Sequence, residues 1–83
     1  MERRIGAALI LVKSRESIAA LNTILSRHFD IIIGRQGIPL TDQGLNIISL
    51  ALRGTTDEIG ALTGQVGRLD GIQVKSILLK KEA

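Results

Sequence analysis

Residues 5–12 read Ile5-Gly6-Ala7-Ala8-Leu9-Ile10-Leu11-Val12, without one polar side chain. The run has the length of a strand and is far short of the roughly 20 apolar residues of a membrane span. Successive side chains of a strand point to opposite faces, so a half-buried strand alternates apolar with polar residues. Here both sets are apolar: Ile5, Ala7, Leu9 and Leu11 on one face, Gly6, Ala8, Ile10 and Val12 on the other. The stretch therefore reads as a central strand that needs cover on both sides.

The segments that follow supply one of those covers. Ser14 is a candidate helix N-cap with Glu16 in the first turn, and Ile18, Leu21, Ile24, Leu25 and His28 recur at helical spacing. Phe29 to about Gly37, with the β-branched centre Ile31-Ile32-Ile33, reads as a second strand. Pro39 through Gly44 is turn chemistry, and Leu45 to Leu52 is a third strand. Thr55 and Glu58 stand at capping-box spacing at the head of a second helix, whose stripe is Ile59, Leu62, Val66 and Leu69. Asp70-Gly71 ends that helix, and Ile72 to Leu79 is a fourth strand.

The order β-α-β-β-α-β predicts an α+β, ferredoxin-like sandwich: a four-stranded antiparallel sheet with two helices on one face. The 83 residues hold one domain, 1–83, with no linker or low-complexity tract. Both helices on one side leave the other side of the sheet bare, and a monomer should make that side polar. The first strand does not, and Ile77, Leu78 and Leu79 of the fourth are apolar in series. A second subunit is the simplest cover, so a homo-oligomer, dimer or tetramer, is expected. The competing reading is a modest apolar patch of the kind monomers tolerate.

Composition narrows the chemistry. There is no cysteine and only one histidine, so disulfides, thiolate nucleophiles, a Cys-x-x-Cys metal carrier and a zinc cage are excluded. Chains this small commonly gain support from a disulfide, a metal or a partner, and the partner is what remains. The net charge is +3, and basic residues pair only at the ends, Arg3-Arg4 and Lys80-Lys81. A nucleic-acid footprint needs clustering on one element. No secretory leader or membrane span is evident, and a cytoplasmic protein is expected.

No catalytic constellation emerges, and neither a cofactor nor a metal is expected. His28 closes the first helix, where it can cap carbonyls. The acids Glu16, Asp30, Asp42, Asp57, Glu58 and Asp70 fall mainly at helix starts and turns. Two glycine-rich places are less ordinary. Gly60, Gly64 and Gly67 share one face of the second helix, and each internal glycine costs about 0.8–1.0 kcal/mol relative to alanine. They point to an oligomer interface or to close packing against the first helix. The second place is Gly34-Arg35-Gln36-Gly37-Ile38-Pro39, where glycine can mark a bulge and Arg35 could hold a carboxylate or phosphate through two parallel bonds. Arg35, Gln36 and Gly37 are the candidate ligand-binding residues. A solvent-exposed charge, or an ion pair across a subunit boundary, is the plainer reading of Arg35.

Four patterns carry a resemblance to a family: Gly34-Arg35-x-Gly37-x-Pro39, Ile47-Ile48-x-Leu50-x-Leu52, Ile59-Gly60-Ala61-Leu62-x-Gly64-x-Val66-Gly67 and Gly71-x-x-Val74-Lys75. Together they span nearly the whole chain, which resembles the iron-only hydrogenase system regulators. These are stand-alone ACT-like domains related in fold to the C-terminal domain of the nickel-responsive repressor. The resemblance implies an oligomeric, non-enzymatic regulator of that hydrogenase system, acting through a small ligand or a partner protein. It does not carry over the repressor's nickel site, which needs histidines and a cysteine that this chain lacks. Nor does it carry over amino-acid sensing, because Val12-Lys13-Ser14-Arg15-Glu16 stands where amino-acid-binding ACT domains often have a Pro-Gly turn. No helix looks like a DNA-reading element.

Two other functions share the topology. An RNA-binding βαββαβ domain stacks bases on aromatic residues of its central strands, and the first and third strands here have none. An acylphosphatase-like hydrolase would use an arginine for phosphate, and Arg35 follows the second strand instead of lying in a glycine-rich loop after the first.

Overall fold

Strand β1 (Arg4–Val12) runs through the middle of an antiparallel sheet, between β3 (Leu45–Gly54) and β4 (Ile72–Leu78), with β2 (Ile32–Leu40) beyond β3. Helices α1 (Ile18–Arg27) and α2 (Thr56–Gly67) complete the βαββαβ order. The computed structural model describes residues 2–80; Lys81 of the terminal basic pair and the extreme ends of the 1–83 domain lie outside them.

Register decides what each face of the sheet carries. Gly6, Ala8, Ile10 and Val12 of β1 stand opposite Leu52, Leu50, Ile48 and Asn46 of β3, and partners in register share a face. Ala8, Ile10, Val12, Leu50 and Leu52 form one buried cluster with Leu21, Ile24 and Leu25 of α1 and Ile59, Leu62 and Val66 of α2. Both helices therefore cover this face. At Gly6 any side chain would collide with β4, since a Cβ would fall 2.6 Å from the Ile77 carbonyl oxygen.

Each helix starts for a local reason. Thr55 and Glu58 form a reciprocal capping box: the Thr55 backbone N–H donates to Glu58 Oε1 (2.8 Å) and the Glu58 N–H donates to Thr55 Oγ1 (3.1 Å). The bond from the Thr55 N–H is the chief reason the Glu58 carboxyl is held below its ordinary pKa; partial desolvation opposes it, and the Thr55 side chain and the Arg3 charge add to it. Ser14 accepts from the Glu16 N–H, but it caps a 3-10 turn (Arg15–Ser17) that precedes α1. That turn is tied to the connection between α2 and β4. Lys13 N–H donates to the Gly71 carbonyl (2.7 Å), and Ser17 Oγ donates to the Asp70 carbonyl (2.6 Å). Gly71 has φ +71° there, and a Cβ would lie 2.6 Å from that of Ser14.

Three boundaries differ from the sequence reading. Phe29–Ile31 is a 3-10 turn and not the start of β2: the Ile31 N–H returns to the His28 carbonyl, Ile31 is buried, and Phe29 is 74% exposed. At its far end β2 runs on through Pro39 to Leu40, and the turn occupies Thr41–Gly44. Proline is compatible because β2 is an outer strand, where a missing N–H need not cost a ladder bond. Helix α2 ends at Gly67, before Asp70-Gly71. Gly34 does mark an irregularity, since the β2–β3 register shifts between Ile32 and Gly34.

Candidate functional site

The second face of the sheet is open. Ile5, Ala7, Leu9 and Leu11 of β1 stand opposite Arg53, Ala51, Ser49 and Ile47 of β3, and Ala7, Leu9 and Leu11 stand opposite Ile77, Lys75 and Gln73 of β4. Leu79 continues beyond β4, its N–H donating to the Ile5 carbonyl (2.9 Å). Ile77 is 66% exposed, Ile33 58%, Leu9 and Leu79 56% each, and Ile5 45%. Ile33, at the register shift of β2, lines one shallow depression with Ile5, Arg53 and Leu79. No described residue covers this surface. Of the residues paired across this face, Arg53 near the end of β3 and Lys75 on the outer strand β4 are cations, and Glu2, Arg3, Arg4 and Lys80 join Arg53 around the depression at the Ile5 end.

A smaller feature lies on the helix side. Residues at the start of α1, the adjoining sheet and β2 line a groove of about 270 Å³, with Ile18, Leu21 and Asn22 from the helix and Val12, Ile48, Asn46, Arg35 and Gly37 from the strands. Arg35 is exposed and donates to Asn22 Oδ1 at 3.3 Å. Register separates the three candidate ligand residues. Arg35 and Gly37 pair with Leu50 and Ile48, which belong to the helix-covered face, whereas Gln36 pairs with Ser49 on the open face. The groove thus brings Arg35 and Gly37 together and leaves Gln36 on the other side. Asn22 and Asn46 are the lining residues the sequence reading passed over; Asn22, next to Leu21 on the α1 stripe, was the available signal.

The glycines of α2 stand apart from both places. Ile59, Leu62 and Val66 are buried, while Gly60, Gly64 and Gly67 are exposed. A Cβ at Gly60 or Gly64 would meet nothing within 4 Å, and one at Gly67 would make only an ordinary 3.5 Å contact with Val74. Close packing against α1 therefore does not account for Gly60 and Gly64, which lie on the side of the helix away from the core. His28 Nε2 lies 3.3 Å from Gln65 Oε1, an interhelical hydrogen bond, and the His28 backbone N–H donates to the Leu25 carbonyl. Among the described residues, no group of three or more His, Cys, Asp or Glu could hold a metal ion. No helix among them is long and apolar enough to cross a membrane.

Residues 4–76 match the model of a family described as "TM1266-like: Iron-only hydrogenase system regulator, putative". The chain belongs to that family. The solved structure of the uncharacterized protein TM1266 from Thermotoga maritima superposes with a TM-score of 0.91 at 32% identity, over 95% of this chain and 100% of that one. The two chains thus share one fold, and the family's description agrees with the resemblance carried by the glycine patterns. A nitrogen regulatory PII-like protein, CPII from Thiomonas intermedia K12, superposes at a TM-score of 0.54 with 13% identity, over 96% of each chain. CutA1 from Oryza sativa does so at 0.53 with 15% identity, over 96% of this chain and 84% of that one. These two likenesses show the ferredoxin-like fold alone. No curated protein matches the sequence.

Proposed function

We propose that the chain is a non-enzymatic, cytoplasmic regulatory module of an iron-only hydrogenase system, working as a homo-oligomer that binds a small ligand or docks on a partner protein. Membership of the regulator family supplies the system. The observation that carries the mode of action is the bare apolar face centred on β1. Fully burying a Leu or Ile side chain contributes about 1.5–3 kcal/mol, and four such side chains, Leu9, Ile33, Ile77 and Leu79, stand more than half-exposed there with Ile5 beside them. A second copy meeting this face would remove them from water together, with Arg53 and Lys75 left toward the margin of the contact.

Gly60, Gly64 and Gly67 are the second proposed contact. The helix carries the propensity cost of Gly60 and Gly64, roughly 2 kcal/mol, without any need inside the chain. A neighbouring backbone approaching α2 from outside would explain why side chains are absent. One contact alone gives a dimer, and both together allow a tetramer. Arg35 and Gly37 are proposed to meet the ligand from the helix side, with Gln36 facing the subunit contact.

A native mass measurement on protein purified without refolding tests the assembly. A dimer or tetramer at micromolar concentration is expected, and the same spectrum would reveal any small molecule carried along. A single-chain mass at that concentration contradicts the reading.

A further inference from the structure

The groove under the start of α1 has a chemistry of its own. Ile18 and Leu21 from the helix, with Val12 and Ile48 from the sheet, make it mainly aliphatic. Gly37 keeps one part of its wall empty, because a Cβ there would meet nothing within 4 Å. One cation enters the lining and no carboxylate does. Among the described residues, the Arg35 guanidinium donates only to Asn22 Oδ1, at a long 3.3 Å. A guanidinium offers five N–H donors in a planar fork that matches a carboxylate through two parallel bonds. Arg35 therefore has donors to spare beside an aliphatic cleft.

We propose that this groove binds a small aliphatic carboxylic acid as its carboxylate, with Arg35 holding the headgroup and the partly exposed Ile18 and Ile48, backed by buried Leu21 and Val12, flanking the tail. Each part of that description follows from the lining. A single cation suits a single negative charge, and a phosphate dianion would find only one cationic partner. No carboxylate stands in the lining to pair with an ammonium, which favours a plain acid over an amino acid. The volume, about 270 Å³, lies just under the roughly 300–1,000 Å³ of pockets that take drug-sized molecules, so the tail is short. No aromatic side chain lines the groove, which favours an aliphatic body over a stacked ring. The inference deepens the ligand-responsive reading above and rests on it for its purpose, although its test is separate.

The test is a titration of the full chain with 4-methylpentanoate, followed by amide chemical shifts in proton–nitrogen NMR spectra. Its neutral counterpart 4-methylpentanamide and inorganic phosphate serve as comparison probes. Saturable shifts centred on Leu21, Asn22, Gly37 and Ile48 are expected with the acid. Arg35→Ala should weaken binding by about ten- to a hundredfold, the range for a lost hydrogen bond to a charged group. Arg35→Lys should retain part of the affinity. Gly37→Leu should fill the groove and abolish binding while leaving the amide spectrum folded, because the position is exposed and has no neighbour to displace.

Equal binding of the amide, affinity unchanged in Arg35→Ala, phosphate binding as tightly as the acid, or no saturation by about 10 mM would each overturn the proposal. Shifts confined to Leu9, Lys75 and Ile77 would overturn it too, since they would place the acid on the open sheet face. A failed titration on a protein of oligomeric mass removes this inference alone. Intact carboxylate binding by a protein of single-chain mass removes the assembly reading alone.

Discussion

The two faces of β1 are built from nearly the same residue types and meet opposite fates within the chain. Ala8, Ile10 and Val12 are buried beneath α1 and α2, whereas Ile5 and Leu9, one position out of register with them, stand in the open. Hydrophobicity does not separate the two sets; the supply of cover does. The described residues form two α-helices, and both lie on one side. The lesson is that an apolar strand records a demand for burial, and the fold shows how much of that demand one chain meets.

The contrast can be broken most forcefully at its covered half. Ile10→Ala should cost about 2–5 kcal/mol of unfolding free energy in denaturant titrations, through lost burial and a residual cavity. It should leave the subunit count unchanged wherever the protein still folds. The paired change Leu9→Lys with Ile77→Lys acts on the other half. It should leave secondary structure by circular dichroism intact, separate the subunits in native mass spectra, and abolish the concentration dependence of Tm that an oligomer shows. An undiminished mass in that double variant would mean the open face is not where the copies meet.

The outer side of α2 offers a sharper form of the same test. Gly64→Leu has room in the single chain, so it should fold and lose the contact made by that side of the helix, lowering the subunit count from tetramer to dimer or weakening the assembly. If the surface is free, the same substitution raises stability by roughly 0.5–1 kcal/mol through helix propensity and leaves the mass alone.

Effects of similar size and no bearing on the subunit count are expected at the α2 cap. Thr55→Ala should cost about 1 kcal/mol. Because the Glu58 carboxyl titrates below its unfolded value, the folded state binds fewer protons between the two pKa values. Its stabilising contribution is therefore complete above the unfolded pKa and is lost as pH falls through the folded one. Glu58→Gln should flatten the acid limb of a stability-versus-pH curve; an unchanged limb would assign that limb to other groups.

Much of this architecture was legible from local rules. The capping box of Thr55 and Glu58, the α1 stripe and the four strand centres each follow from short-range pattern, and the structure keeps them. The boundaries around Phe29 and Pro39 were not, because tertiary context decided them. A β-branched run at Ile31-Ile32-Ile33 does not announce that its first residue turns into the core as a 3-10 turn, and proline is barred from a strand only when the strand is interior. The glycines of α2 were legible as a row, but the direction the row faces depends on how the helix rolls onto the sheet. In the same way Arg35, Gln36 and Gly37 are adjacent in sequence, and only the β2–β3 register shows that Gln36 leaves the groove.

The central claim, that another body covers the open face, is most directly read from the methyl groups on it. A soluble paramagnetic agent broadens methyl signals in proportion to their access to solvent. In the native protein, the methyls of Ile5, Leu9 and Ile77 should be shielded to nearly the degree of buried Ile10, and the Leu9→Lys, Ile77→Lys variant should leave Ile5 exposed. Broadening of all three in the native protein, with Ile10 untouched, would contradict the account.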